Sequence, residues 1–289
     1  MLYLALDENG YGPIMGPLVV TGIAATGDVE RWPDEICDSK KLFSQNKSHD
    51  KIEKIALSIF LISKKKFPES PLEVFENFQD VDCKDGLFSI CLKNLPEIPL
   101  WSTRDRITQY CEHFSEFCKK KGIKKLSVNS MILCVNNFNK LCKKGLKKDF
   151  VNYLLFEKII LSTKENCKNL FVMAGKIGGR KNYCEFLKNG FNKWEIVKKK
   201  ESCDISSYIL KKDSSSININ FVKDIELQSF IGVLAGIYGK YVRQLIMTGI
   251  NRSIGAEKYI SGYRDNTTKS FLEKLKNTQI NKDCLLRIK

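Results

Sequence analysis

The fold is decided by the stretch Leu2-Tyr3-Leu4-Ala5-Leu6-Asp7-Glu8-Asn9-Gly10-Tyr11-Gly12-Pro13. Its apolar run ends in two adjacent acids and a glycine-rich turn, and a second apolar run follows from Leu18 to Ala25. This pattern predicts two strands joined by a turn. Adjacent acids repel each other and two glycines cost backbone entropy, so stability alone does not explain the stretch. Two interpretations remain open here: a metal-binding carboxylate site beside a turn that approaches a ligand, or a hairpin with solvated acids.

The composition indicates a folded protein with a large excess of positive charge. Hydrophobic residues make up 43% of the 289 residues, which is enough for a core in one large domain or in one domain with a helical insertion. The net charge is +15, from 48 Lys and Arg against 33 Asp and Glu. Such an excess of cations suits a polyanion, nucleic acid first and an anionic membrane second, although lysine-rich surfaces also occur without one.

The cysteine pattern excludes a disulfide scaffold and a zinc site. The 11 cysteines contain no Cys-x-x-Cys pair and the chain has only two histidines. We therefore expect reduced, mostly buried thiols in a cytoplasmic protein, and we see no signal peptide at the start. The most apolar helix candidate, at about 230–247, carries Lys240 and Arg243, so we expect no membrane span.

Hydrophobic periodicity predicts an α/β domain. Helices are predicted near 48–60, 71–78, 87–93, 103–121, 139–161, 183–187, 230–247 and 268–276. Strands are predicted near 2–6, 18–25, 61–67, 126–135, 170–173, 194–198, 206–211 and 217–222. The helix at 230–247 contains Gly232, Gly236 and Gly239. Because each helical glycine costs about 0.5–1 kcal/mol relative to alanine, this helix should pack very closely against the sheet or a substrate backbone.

Five motifs in order resemble the type 2 ribonucleases H (ribonuclease HII). The motifs are Leu6 to Pro13 with Gly16-Pro17; Asp38-Ser39-Lys40-Lys41-Leu42; Val222-Lys223-Asp224; Ala235 to Arg243; and Gly262-Tyr263 with Phe271 to Leu275. The second motif is identical to that family's signature. The motifs span residues 2 to 275, so together they are far more specific than any one of them.

The resemblance implies a ribonuclease H-like mixed sheet of about five strands flanked by helices. It implies a single domain over 1–289 with a helical insertion at roughly 68–165 and helices near the end of the sequence. The strand of Asp7 should be central, and Asp224 should end a neighbouring strand.

The implied activity is a divalent-metal-dependent endonuclease that hydrolyses RNA in RNA–DNA hybrids or at RNA–DNA junctions. Asp7, Glu8 and Asp224 would be the catalytic residues and the ligands of Mg²⁺ or Mn²⁺, since these ions prefer carboxylate oxygens. The implied partner is an RNA–DNA hybrid or a DNA duplex containing ribonucleotides, bound by a monomer. The implied substrate-binding residues are Gly10, Tyr11, Gly12, Lys40, Lys41, Lys240, Arg243 and Tyr263. Arg180 joins them because Gly178-Gly179-Arg180 with Tyr183 resembles a longer bacterial branch of the superfamily.

Three departures from the family pattern keep a second function open. The family's third acid ends a central strand, where this chain has Ala174 and Gly175. Tyr11 replaces an arginine, and Gln244 replaces an acid. The sequence leaves open whether Glu201 or Asp204 reaches the vacant place. The alternative is a nucleic-acid-binding protein on the same fold whose catalysis has decayed.

Overall fold

The computed structural model describes residues 1–27, 48–75, 92–275 and 282–288. Seven strands form one sheet in the order β3-β2-β1-β4-β7-β6-β5. The strands are β1 (Leu2–Asn9), β2 (Leu18–Gly27), β3 (Ile123–Leu133), β4 (Asn169–Gly175), β5 (Glu195–Glu201), β6 (Ile205–Lys212) and β7 (Ser215–Val222). The sheet is mixed, as predicted, but it has two strands more than expected because β5 and β6 extend it beyond β7.

The strand directions place three strand ends at one edge of the sheet. β1 runs parallel to β4, and β4 runs parallel to β7. β2 is antiparallel to both β1 and β3, and β6 is antiparallel to both β5 and β7. The carboxyl ends of β1, β4 and β7 therefore meet at the same edge, which is where open α/β sheets commonly place a site.

Helices cover both faces of the sheet. The helices are α1 (Ser48–Lys64), α2 (Pro71–Phe75), α3 (Arg104–Lys120), α4 (Val135–Lys143), α5 (Lys148–Lys164), α6 (Cys184–Gly190), α7 (Phe230–Ser253) and α8 (Asn266–Leu275). Ala5 of β1 packs in the core that contains residues of α1, α3 and α7. Leu4 and Leu6 pack in the opposite core with residues of α5 and α6. This alternation along β1 follows from the two-residue period of a strand and puts Asp7 on the α7 side.

Several predicted elements need correction. Residues 61–64 continue α1 instead of starting a strand, because Leu61 and Ile62 pack on the same core as Ile55 and Ile59 of that helix. The helix predicted at 139–161 is two helices, α4 and α5, separated at Gly145, which has a φ of 88°. β3 lies inside 68–165, so that range contributes a strand of the sheet as well as helices.

The remaining sequence predictions concern a membrane span, the second motif and the helix at 87–93. No helix in the described ranges has the length and apolarity needed to span a membrane. The second motif, with Lys40 and Lys41, lies outside the described residues, as does most of the helix predicted at 87–93.

Candidate active site at the carboxyl ends of β1 and β4

Asp7 and Glu8 converge beside Gly175. Leu6 of β1 pairs with Ala174 of β4, so the acids lie next to the end of β4. A Cβ added to Gly175 would lie 3.2 Å from Oδ1 of Asp7 and 3.6 Å from Oε2 of Glu8. Ala174 is fully buried in the opposite core. Of the two positions considered for the missing third acid, Gly175 is therefore the one that faces the carboxylates.

Helix α7 lies directly against Asp7 through its glycines. A Cβ at Gly236 would lie 2.7 Å from Oδ2 of Asp7, and one at Gly239 would lie 2.7 Å from Nδ2 of Asn9. Nδ2 of Asn9 also donates a hydrogen bond to the carbonyl oxygen of Gly236 at 3.2 Å. The close packing predicted from the helical glycines is confirmed, and its partner is the polar end of β1.

The electrostatics of the site favour a cation. Burial raises the pKa of Asp7 from 3.8 to about 7; a backbone hydrogen bond from Glu8 opposes this shift, and the negative charge of Glu226 adds to it. Burial also raises the pKa of Glu8, as do the charges of Asp7 and Glu226. The raised pKa values mean that ionised carboxylates are poorly stabilised by the protein itself, so a bound cation would stabilise them.

Asp224 occupies a different place from the one expected. β4 separates β7 from β1, so the prediction that Asp224 ends a strand next to that of Asp7 is wrong. Asp224 is exposed two residues after β7, with a left-handed φ of 49°. The acid whose charge acts on both Asp7 and Glu8 is Glu226, in the 3₁₀ turn Ile225–Leu227. Sequence reasoning missed Glu226, although an acid two residues after a candidate ligand in the same loop was a visible signal.

Glu201 and Asp204, the two acids considered for the vacant place, have other contacts. Glu201 accepts a hydrogen bond from the hydroxyl of Tyr208. Asp204 is exposed, and its carbonyl oxygen accepts from the backbone N–H of Lys223 at 2.8 Å. Across the part of the chain that the structure describes, no three His, Cys, Asp or Glu side chains are grouped closely enough to hold a metal ion. The site as it stands is a pair of converging carboxylates with Glu226 nearby.

The glycine-rich turn lies between the carboxylates and Tyr263. Gly10 has a φ of 91°, which favours glycine. A Cβ on Gly12 would lie 3.9 Å from Cε1 of Tyr263, whose side chain is 47% exposed. Tyr11 turns the other way, with Nζ of Lys148 4.4 Å from its ring centroid. The structure thus brings Gly12 and Tyr263 together at the surface and places Tyr11 on the α5 side.

The predicted cationic residues have unequal environments. Arg243 is buried, and its Nη2 donates to the carbonyl oxygens of Met15 and Ser261, both at 3.2 Å. Nε of Arg180 donates to Oδ2 of Asp149 at 2.9 Å, so this arginine has an acidic partner. Lys240 is exposed on α7, and its charge lowers the pKa of His49, after burial as the larger cause. Of these residues, Lys240 is the cation most accessible to a duplex.

Arg287 is a residue of this region that sequence reasoning missed. Its guanidinium donates to the carbonyl oxygen of Gly10, and its Nε donates to that of Gly16 at 2.8 Å. These contacts join residues separated by 277 and 271 positions. No local pattern in the sequence signals such a contact.

Comparison with known proteins shows the fold. No family model and no curated protein matches the sequence. The structure is similar to ribonuclease HII from Archaeoglobus fulgidus, solved in complex with PCNA, with a TM-score of 0.50 and 12% identity over 100% of this chain and 95% of that chain. It also matches Bst-RNase HIII in complex with Mn²⁺, with a TM-score of 0.49 and 10% identity over 100% of this chain and 66% of that one. RNase H3 of Aquifex aeolicus matches with a TM-score of 0.45 and 13% identity over 99% and 71%. The chain has a ribonuclease H-like fold.

Proposed function

We propose that this protein is a divalent-metal-dependent endonuclease that hydrolyses RNA in RNA–DNA hybrids or at RNA–DNA junctions. The observation that carries the proposal is the convergence of Asp7 and Glu8 beside Gly175 at the carboxyl edge of the sheet. A pair of partly buried carboxylates with raised pKa values is costly for a purely structural role. The motifs that resemble the type 2 ribonucleases H support the choice of reaction.

The donor set fits a hard divalent cation. Asp7 and Glu8 offer only oxygen atoms, which are the ligands that Mg²⁺ and Mn²⁺ prefer. The negative charge of Glu226 would add to theirs in attracting the cation, and Asp224 is the further ligand that the resemblance implies. When bound, such ions activate water and neutralise the leaving oxygen in phosphodiester hydrolysis.

The other residues would position the duplex. Gly12 leaves backbone accessible next to Tyr263, whose exposed ring can stack on a sugar or a base. Lys240 would contact a phosphate, which orients a duplex without reading its sequence. Gly236 and Gly239 hold α7 close enough to fix the orientation of Asp7 and Asn9. Lys40 and Lys41 are proposed as further phosphate contacts on the basis of their motif.

One observation favours a second function, a nucleic-acid-binding protein that does not cleave. Gly175 supplies no carboxylate where the related enzymes have an acid, and a site with one ligand fewer binds metal more weakly. The two functions share the fold and the basic surface, and they differ only in turnover.

The deciding experiment measures cleavage of a labelled RNA–DNA hybrid across Mg²⁺ and Mn²⁺ titrations. We expect cleavage that is lost in Asp7→Asn and retained in Asp213→Asn, a matched change in the exposed turn between β6 and β7. We also expect Mn²⁺ to support more activity than Mg²⁺, because it binds most sites with nitrogen or oxygen ligands more tightly. Hybrid binding without cleavage in either titration, unchanged by Asp7→Asn, would establish the binding protein instead.

A further inference from the structure

Two arginines are buried next to the glycine-rich turn, and neither has an acidic partner among the described residues. Arg243 of α7 is 7% exposed, and Arg287 of the segment 282–288 is 8% exposed. Among the described residues, each hydrogen-bond acceptor of these two side chains is a neutral carbonyl oxygen, on Gly10, Gly16, Met15 or Ser261. No carboxylate of the described residues forms an ion pair with either arginine. Such burial of unneutralised charge is unusual, since buried charges are normally paired.

Each guanidinium also has a nitrogen atom without a hydrogen-bond partner. These buried atoms are Nε of Arg243 and Nη2 of Arg287, as judged within the described ranges. The rest of each guanidinium is fixed: Arg243 lies 5.2 Å from the ring centroid of Tyr263, and Arg287 lies 5.1 Å from that of Phe138. The arrangement leaves donors unused on two neighbouring cations, and an unused buried donor costs about 1–3 kcal/mol.

The surroundings add further positive charge. The charge of Arg243 lowers the pKa of Arg287, after burial as the larger cause. The pKa of Lys148 is lowered by burial and then by the charges of Arg287 and Arg264. Four cations, on α5, on α7 and in two later segments, are therefore linked by like-charge repulsion. Guanidinium groups stay protonated at neutral pH, so the repulsion persists until an anion is bound.

We propose that Arg243 and Arg287 form a binding site for one phosphate group beside the turn from Gly10 to Gly16. A phosphate suits two guanidinium groups because its oxygens accept several charge-assisted hydrogen bonds in planar, forked geometry. The four cations exclude a metal ion as the ligand. The exposed ring of Tyr263 covers Arg243 and would move aside to admit the anion.

The phosphate has two possible sources with the same chemistry: a backbone phosphate of a duplex, or a free phosphate. The first source rests on the proposed function, since Gly12 and Tyr263 lie at the same surface. The second source is independent of it. The experiment therefore has one arm without nucleic acid and one arm with it.

The first arm is a thermal-shift titration with inorganic phosphate, with NaCl adjusted to constant ionic strength. We expect the melting temperature of the wild type to rise and saturate with phosphate. The rise should fall by at least half in Arg287→Gln and remain in Arg252→Gln, a matched change of an exposed arginine at the end of α7. If Arg287→Gln does not fold, Arg287→Lys is used instead. Lysine keeps the positive charge but lacks the planar, forked donors of the guanidinium, so the affinity for phosphate should fall about tenfold. An unsaturable rise, or equal rises in the wild type and the Arg287 variant, would overturn the proposal.

The second arm measures binding of a duplex made of one DNA strand and one 2′-O-methyl RNA strand. EDTA is present, so cleavage has no part in the measurement. If phosphate competes with this duplex on the wild type but not on Arg287→Gln, the site holds a backbone phosphate. If phosphate stabilises the protein without competing, the site takes free phosphate. Neither arm depends on cleavage, so both can be interpreted even if the protein does not cleave a hybrid.

Discussion

At the scale of single residues, Gly175 is the position at the end of β4 that lies beside both carboxylates and carries no side chain. Its backbone does not have a positive φ, and the space beside its Cα faces both carboxylates. A side chain there is compatible with the backbone, and a Cβ 3.2 Å from Oδ1 of Asp7 requires only a small movement of that side chain. A substitution at Gly175 can therefore test the metal site.

We expect Gly175→Asp to increase metal binding. Without metal, a third carboxylate beside Asp7 and Glu8 should lower the melting temperature through like-charge repulsion. With Mn²⁺, the rise in melting temperature should exceed that of the wild type, and hybrid cleavage should increase many-fold, because metal stabilisation is worth several kcal/mol. Gly175→Asn is the control for size without charge. Equal responses of the two variants to Mn²⁺ would mean that Gly175 does not border the metal site.

Asp7 should lower the stability of the metal-free protein at neutral pH. Its pKa is about 7 in the folded state against 3.8 for the ordinary group. The folded state therefore holds a proton that the unfolded state releases, so stability falls as the pH rises from about 4 to about 7 and stays lower above that.

Removing this charge should stabilise the fold. In urea unfolding at pH 8, we expect Asp7→Asn to be more stable than the wild type by roughly 1–3 kcal/mol, with the difference vanishing near pH 4. Asp213→Asn serves as the control with an exposed acid. A variant less stable than the wild type at pH 8 would show that Asp7 is stabilised by neighbours other than a cation.

At the scale of elements, α7 combines poor helix propensity with close contact. Gly236 allows Asp7 to approach the helix, and Gly239 makes room for Asn9 and Thr21. The two effects of a methyl group at Gly236 have opposite signs: alanine favours the helix by about 1 kcal/mol, while contact with Oδ2 of Asp7 opposes it.

A double-mutant cycle separates these effects. We expect Gly236→Ala alone to lower both the melting temperature and the activity, because it displaces Asp7. In the background of Asp7→Ala, the same change should stabilise the protein by about 1 kcal/mol, since only the helix propensity remains. Identical effects of Gly236→Ala in both backgrounds would contradict the contact.

Glu53 joins three elements, which are α1, the loop before α3 and α7. It is fully buried on α1 and accepts hydrogen bonds from the backbone N–H groups of Leu100, Trp101 and Ser102 at 2.6–2.7 Å. It also accepts one from the hydroxyl of Tyr241 on α7 at 3.0 Å. The carboxylate thus accepts hydrogen bonds from backbone N–H groups of the loop before α3, which lie outside any helix or strand.

Glu53→Gln should destabilise the fold strongly. The amide would direct N–H donors at other donors, and we expect a loss of roughly 2–4 kcal/mol in the free energy of unfolding. Glu112→Gln, at an exposed position of α3, is the matched control and should change stability by less than about 0.5 kcal/mol. Similar losses in both variants would mean that the network around Glu53 contributes little.

At the scale of the whole molecule, the net charge of +15 should govern duplex binding. Each phosphate neutralised releases counterions, so affinity for a hybrid should fall by roughly 0.9 log unit per log unit of salt for each contact. In titrations at several NaCl concentrations, Lys240→Gln should reduce this slope by about one. Lys212→Gln, at the opposite edge of the sheet, should leave it unchanged. A salt-independent affinity would exclude phosphate contacts as the source of binding.

The sequence by itself determined the fold class, most strand and helix positions, and the pair of acids at the end of β1. These features depend on side chains two to four positions apart, which a linear pattern records. It also predicted the close approach of α7, because glycines in a helix are costly unless a neighbour needs the space.

Only the tertiary structure decided which distant residues share the site. The sheet order put β4 between β1 and β7, and the charge of Glu226, in the turn after β7, acts on both Asp7 and Glu8. Gly175, not Ala174, faces them because successive residues of a strand point to opposite faces. Arg287 meets Gly10 across 277 positions of sequence. Contacts of this kind arise from the packing of whole elements, and local periodicity carries no record of which elements become neighbours.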